Sequence, residues 1–393
     1  TLPARPAPAP VGAARTGECP ASLPKRHRAG GARPMAWSDR SQYGVLHTYR
    51  HGTLREQRFN PKKPMLCAGF NGDRSLVCTA AGDKLASVFE VATRRRLFNI
   101  ENPDWNRCCA LTSDGLRLCT GCDDGFARIH TISLGEEQEP HKFEHAKEED
   151  QSKSAGFAYK RRAKPPQRFK VASVAFSPDD RLLLTAALDR KARLFEVPPP
   201  KDPIGENERG QTPDDFALAR KDEDYPLPIV EMVHEGLVYS ARFSADGRQV
   251  ITASGAPRFG GVARLWDAET GGVLGAHEVD DAAMCADLSP DAAWVCVSSM
   301  DKTARIIDSE TGQELRRWAH PNFVPTLAFD TAGKLLCTAC TDGYARIFDV
   351  KSEKELQSFR HPEEVTCALF GAEDLQLCTA SADGAARVWG AVA

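Results

Sequence analysis

The chain has 393 residues, with 51 lysines and arginines against 54 acidic residues and a formal net charge of −3. That balance excludes a chain that is basic throughout, as a general nucleic-acid binder or membrane-surface protein would be, and leaves charge to act locally. No apolar stretch approaches the roughly 18 residues of a membrane span and no apolar signal core stands near the start, so the expectation is a soluble, non-secreted chain with no membrane partner.

Residues 1–36 read as a disordered, Ala/Pro/Arg-rich segment. Between Thr1 and Pro34 one acid, Glu18, stands against Arg5, Arg15, Lys25, Arg26, Arg28 and Arg33, a composition that cannot assemble a packed core. Two readings stay open for it: translated sequence upstream of a start at Met35-Ala36, or the remnant of an organelle-targeting segment.

Residues 37–393 are periodic. An Asp-x-x-Ala core recurs at Asp83, Asp124, Asp189, Asp301, Asp342 and Asp383, and an Asp-less seventh copy runs through Ala263, Arg264 and Trp266. In five copies Arg128, Arg193, Arg305, Arg346 and Arg387 follow the alanine; residues that recur in this way read as structural. The steps from Asp83 to Asp124, from Asp301 to Asp342 and from Asp342 to Asp383 are each 41 residues, the length of one four-stranded blade. Within the unit Val365–Trp389, strand-length apolar runs are separated by turns at Gly371–Asp374 and Ala382–Gly384. Such runs suit sheets buried on both faces, and the recurring alanine leaves room for a larger side chain from the neighbouring sheet. The expected fold is all-β: a single seven-bladed β-propeller of four-stranded antiparallel blades.

At the start of this region Thr53–Phe59 repeats Glu353–Phe359 at an offset of 300. The last unit stops four residues after Trp389 without a fourth strand, which would leave a bare edge. Thr53–Phe59 is therefore expected to close the ring as the outer strand of the final blade.

Two insertions interrupt the rhythm. The first, near 146–167, stretches the step from Asp124 to Asp189 to 65 residues; the second, near 198–225, stretches that from Phe176 to Phe243 to 67. Phe143 and His145 match Phe359 and His361, so the first insertion follows an outer strand; the second precedes one, and the two are expected on opposite faces of the ring. The first is acidic at Glu148, Glu149 and Asp150, then basic from Lys153 to Lys170 with Phe157 and Tyr159 interleaved, a pattern that grips phosphates or an acidic partner, or remains a solvated loop paired with its own acidic half. Lys160, Arg161, Arg162 and Lys164, with Arg258 and Phe259 of the enlarged turn Gly255–Gly261 on the same face, are the candidate partner contacts. The second insertion is Pro-rich and acidic; Thr212-Pro213-Asp214-Asp215 reads as a helix start, in either a docking helix through Lys221 or a strutted linker.

Cys67 and Cys78, Cys108 and Cys119, Cys285 and Cys296, and Cys367 and Cys378 are each eleven apart, at the same two positions of four repeats. They are expected to face each other across hairpins as reduced core thiols, which implies a reducing compartment. Cys119-x-x-Cys122 and Cys337-x-x-Cys340 each span one strand, where residues three apart point to opposite faces, and neither His47 with His51 nor His141 with His145 comes with a clear third ligand. No nucleophile elbow, phosphate loop or zinc-protease motif is present, so the expectation is no enzyme activity, no cofactor, no metal and no small-molecule substrate.

The repeat resembles the WD-repeat β-propeller family, over about 330 residues. Carried over by position, the family's His, Ser/Thr, Asp and Trp fall on His361, Ser381, Asp383 and Trp389 of the last blade, and partly on His320, Cys340, Asp342 and Phe348 of the one before. The resemblance implies that these residues satisfy buried polar groups rather than catalyse. It also implies an interaction platform for protein partners, which the reduced-thiol reading places in the cytoplasm; the alternative is a ribonucleoprotein component contacting RNA through residues 153–170. Organelle import is not excluded.

Overall fold

The computed structural model of the chain describes residues 37, 43–51, 63–132, 140–145, 168–198, 225–371 and 376–391. These form seven four-stranded antiparallel sheets arranged as the blades of a propeller. With strands named a to d from the central channel outward, the first blade is Met65–Phe70, Leu76–Ala81, Leu85–Glu90 and Arg96–Glu101. The fourth is Leu237–Phe243, Gln249–Gly255, Gly261–Asp267 and Val273–Val279. In the seventh, Val365–Phe370, Gln376–Ser381 and Ala385–Ala391 are joined by Tyr43–Arg50 from the other end of the chain.

The pattern of burial follows from stacking. The b and c strands are covered almost end to end, whereas outer strands such as Arg96–Glu101 and Glu314–Ala319 alternate between partly covered and exposed residues. Charged outer strands also blunt an edge that would otherwise invite pairing. The core lies between blades: Leu184, Leu194 and Met232 of the third pack on Val238, Val250 and Trp266 of the fourth. All seven repeat alanines are fully buried at such interfaces. Each motif aspartate is followed by a residue in the left-handed backbone region, either glycine, as at Gly125, Gly343 and Gly384, or Lys84, Arg190 and Lys302.

An N-terminal strand does close the ring, but it is Tyr43–Arg50, with Tyr49 opposite Ala386 and His47 opposite Val388. Thr53–Phe59, assigned to that slot from the 300-residue offset, lies outside the described residues. The outer-strand signature is an aromatic residue two before a histidine that reaches into the next blade. Tyr49 and His51 supply it, matching Phe359 and His361 at an offset of 310. Tyr49 is buried against Phe89, with ring centroids 4.9 Å apart, and Trp37 stacks on Tyr43 at 4.5 Å.

The two insertions, 146–167 and 199–224, lie outside the described residues, including the proposed helix from Thr212. The described edges of the first are tied together, because the Phe169 amide donates to the His145 carbonyl at 3.0 Å. Of the second only the edges are described. Pro198 accepts a 2.8 Å hydrogen bond from Arg117 beside an a–b turn, whereas the Tyr225 ring packs 5.1 Å from Phe126, just after a b–c turn.

Candidate functional site

Strand order places the b–c turns and the d–a connections at one end of the ring, and the a–b and c–d connections at the other. Inside the first end runs a repeated polar network. His361 donates through Nδ1 to the Phe359 carbonyl (3.1 Å), while its Nε2 meets the Thr379 hydroxyl at 2.8 Å; the Trp389 indole N–H donates to the same hydroxyl at 2.9 Å. This pattern assigns a neutral imidazole whose Nε2 accepts. The hydroxyl that joins His and Trp is thus Thr379, two residues before Ser381, whose Oγ instead donates to the Glu363 carbonyl at 3.4 Å. Asp383 receives the Arg387 guanidinium through both oxygens and also the Ala385 amide at 3.1 Å.

The same hub recurs at Thr79 with His51 (2.7 Å), Thr185 with His145 (2.8 Å), Thr252 with His234 (2.8 Å) and Thr338 with His320 (3.0 Å), while Asn102 serves Thr120 at 3.0 Å. Each histidine or asparagine comes from the end of one blade and each hydroxyl from the next, so the network stitches neighbours together. Burial pulls His234, His320 and His361 down to about 4. Burial alone would raise Asp383, but the hydrogen bond and charge of Arg387 outweigh it and hold the carboxyl below its usual range. The recurring threonine was legible in six repeats, two residues before the position taken from the family pattern; the fifth repeat has Val297 there.

The fourth blade keeps the hub but loses the aspartate. Gly260 stands four residues before Arg264, where Asp383 stands before Arg387. The only ion-pair partner of Arg264 among the described residues is Glu235 at 3.5 Å, whose side chain is 94% exposed. The enlarged turn is held by its own backbone, with Phe259 N donating to Ala256 O at 3.0 Å, and by the Arg258 amide donating to Asp281 at 2.7 Å. Arg258 adopts φ +67° there, and Phe259 projects into solvent at 90% exposure. Between this turn and the preceding connection lies a cavity of about 380 Å³, lined among others by Glu235, Ser254, Phe259, Arg264 and Glu278.

Two further aromatics open on the same face and were missed in the sequence. Trp105 and Phe323 are 40% and 43% exposed. Trp105 directly precedes an a strand and Phe323 stands three residues before one, and their carbonyls accept the amides of Asp123 and Thr341 in the adjacent b–c turns at 2.9 Å. Pro64, Lys170 and Glu364 hold the same place in other blades, so an aromatic at this position was the available signal. Lys160, Arg161, Arg162 and Lys164 lie outside the described residues. Of the basic run that contains them, Arg168 pairs with Glu144 and Lys170 with Asp123, each at 2.8 Å. Arg168 also lies over the Phe126 ring, 4.6 Å from its centroid, so the described edges of both insertions meet at one aromatic.

The a strands of all seven blades line a central cavity of about 870 Å³. Around it runs a belt of small donors, each reaching toward the next blade. Cys67 donates to Cys109 O (3.7 Å), Cys108 to Val171 O (3.8 Å) and Ser173 to Ala241 O (3.4 Å). Ser240 meets the Cys285 sulfur (3.6 Å), and Cys285 donates to Leu327 O (3.7 Å). Thr326 donates to Thr366 O (3.4 Å), and Cys367 closes the belt on Ala68 O (3.5 Å). The twelve described cysteines are free thiols. They do not face each other across hairpins as expected. A bulge between Met65 and Cys67 sets Cys67 opposite Ala80 and Cys78 opposite Gly69, and the other three pairs are diagonal in the same way. The cavity also holds an ion pair, Arg242 with Asp287 at 3.2 Å; burial pushes the Asp287 carboxyl up despite that partner.

Sequence comparison adds a family context to this geometry. The family described as "WD domain, G-beta repeat" matches residues 164–196, 228–267 and 269–308, and the "Anaphase-promoting complex subunit 4 WD40 domain" matches residues 318–373. Protein HIR1 of Yarrowia lipolytica is 28% identical over 198 residues, covering 43% of this chain and 17% of that protein. WD repeat-containing protein 37 of Mus musculus is 28% identical over 158 residues, covering 35% of this chain and 31% of the relative. The chain therefore spans less than a third of the length of these relatives.

Proposed function

We propose that this chain, which carries WD repeats folded as a seven-bladed β-propeller, is a non-catalytic scaffold that assembles protein complexes through the face of its b–c turns. The observation that carries the reading is the exposure of Phe259, Phe323 and Trp105 on that one face, on turns pinned by backbone hydrogen bonds. Exposed aromatics on rigid supports give contact area at little entropic cost, and such groups dominate binding energy at interfaces. One of the matching families is described as a subunit of a complex, in keeping with this role. The hub residues are committed to holding blades together and carry no exposed reactive group.

The supported setting is the cytoplasm, or another reducing intracellular compartment, since a belt of free thiols inside the channel suits reducing conditions. Contact with RNA through residues 153–170 is less favoured, because the described cations of that run, Arg168 and Lys170, are already paired with carboxylates of the chain. The test is quantitative affinity capture with the intact chain and with Arg258→Ala/Phe259→Ala, each with and without nuclease. Proteins depleted by the double substitution regardless of nuclease support the scaffold reading. Unchanged capture contradicts it, and loss that depends on intact RNA replaces it with the ribonucleoprotein reading.

A further inference from the structure

One arginine of the repeat lacks the counter-charge that its counterparts have. Arg128, Arg193, Arg305, Arg346 and Arg387 each pair with the aspartate four residues before them, and each of those carboxylates is less than a fifth exposed. The Arg264 side chain is itself only 19% exposed, yet Gly260 stands in the aspartate's place. The outer strand offers no substitute. Ala276 lies opposite Arg264, whereas the third blade sets Glu231 opposite Arg193 and pairs the two at 2.8 Å. Among the described residues the one ion-pair partner of Arg264 is Glu235, at 3.5 Å and 94% exposed.

This guanidinium borders the cavity of about 380 Å³ beneath the enlarged turn, with Phe259 in its lining and 90% exposed. The cavity is framed by backbone as much as by side chains. Gly236 and Gly255 approach so closely that a Cβ on Gly236 would lie 2.7 Å from the main chain of Gly255, and a Cβ on Gly261 would lie 2.2 Å from the Ala283 amide nitrogen. From this site we infer that the fourth blade receives the carboxylate of an aspartate or glutamate side chain from a partner protein, which takes the place of the missing clamp on Arg264. The inference rests on the scaffold reading and names the chemistry that the partner presents.

The buried member of the site decides what its interior accepts. Glu235 and Glu278 also line the cavity, but both are exposed and solvated, and Glu278 stands opposite Val262 rather than Arg264. A cation entering the cavity would meet the guanidinium, whereas a carboxylate meets a fork of donors whose hydration burial has already reduced. A docked segment also excludes water from the pair, which strengthens it relative to the solvated pair with Glu235. Two carboxylates against one guanidinium give no general attraction for free anions. Selection therefore needs a side chain delivered by a peptide, with an apolar neighbour to cover Phe259. Glu235 competes for the same guanidinium, so removing its charge opens the site.

The experiment selects a displayed library of random peptides on the full-length chain and titrates the leading peptide, made synthetically, by calorimetry. The expected peptides share an aspartate or glutamate beside an apolar residue. Replacing that acid by its amide should weaken binding about tenfold or more, the scale of one charge-assisted contact. Arg264→Gln should weaken the acidic peptide by a similar factor and leave the amide peptide unaffected, while Glu235→Gln should strengthen the acidic peptide alone. Selection of acid-free peptides, no selection at all, or undiminished binding of the acidic peptide to Arg264→Gln overturns the inference. Peptides that are lost with Phe259→Ala but not with Arg264→Gln overturn it while leaving the scaffold reading standing. The amide peptide and Glu235→Gln keep Arg264 in place, so a poorly folded Arg264→Gln does not obscure the result.

Discussion

The fourth and seventh blades share one hub and differ in everything around it. In both, a histidine and a tryptophan converge on a threonine, His234 and Trp266 on Thr252, His361 and Trp389 on Thr379, with contacts of 2.8–2.9 Å. The seventh blade then locks its tight turn, because Asp383 clamps both Arg387 and the backbone of the turn. The fourth lacks that carboxylate, and its turn is longer, lifts Phe259 into solvent and leaves Arg264 facing a cavity with an exposed glutamate. The fourth blade thus keeps the hub and gives up the clamp, whereas the fifth does the reverse, with Val297 at the hub position and the Asp301–Arg305 pair intact. The blades also differ in closure, since the fourth is one continuous meander whereas the seventh borrows its outer strand from the other end of the chain.

Breaking the borrowed strand should have the largest effect. Deleting Tyr43–Arg50 removes the buried Tyr49 ring and bares the whole edge of Ala385–Ala391, and the expected outcome is loss of cooperative unfolding in a calorimetric or denaturant experiment. Deleting a fourth-blade outer strand is not the matched control, because it cuts the chain. The sharper comparison is between clamps. Asp383→Ala leaves the Arg387 guanidinium buried without its carboxylate and should cost about 3–5 kcal/mol. Glu235→Ala removes the partner of Arg264 in the fourth blade and should produce no measurable change, because that pair is solvated. Equal effects of the two substitutions would erase the distinction between the blades.

A third effect, common to both blades and cumulative over several histidines, is pH dependence. His234 and His361, with His320 and the buried His130, are held at about 4 in the folded chain against 6.5 when free. The unfolded chain therefore binds protons that the folded chain refuses between those values. Stability from these groups is complete above about pH 6.5 and declines as pH falls toward 4, by about 1.4 kcal/mol per pH unit for each histidine. Denaturant titrations at pH 7, 6 and 5 check the slope, and a flat profile would mean that the histidines are charged in the fold.

Much of the architecture was legible because it repeats. The aspartate and alanine positions recur with a fixed step, and a small residue at a blade interface leaves little freedom about what surrounds it. The closing strand was misplaced because the residues after His51 lengthen the link to the first blade, so a constant offset from the last repeat pointed past the true strand. Tyr49 and His51 still carried the outer-strand signature. The hub threonine was overlooked for a neighbouring serine, although threonine stands there in six of the seven repeats, with Val297 in the fifth. The cysteine pairing failed for a geometric reason: one bulge per blade turns an even spacing into a diagonal. The meeting of Phe126, Tyr225 and Arg168 joins segments from two blades and two insertions, and no local pattern encodes it.

The most direct test of the account is amide hydrogen exchange on the chain alone and bound to a protein recovered by capture. The account predicts new protection at residues 256–260 and around Trp105 and Phe323, with the a–b turns near Ser113 and Asp180 unchanged. Protection confined to those a–b turns, with the aromatic face still exchanging freely, would contradict it.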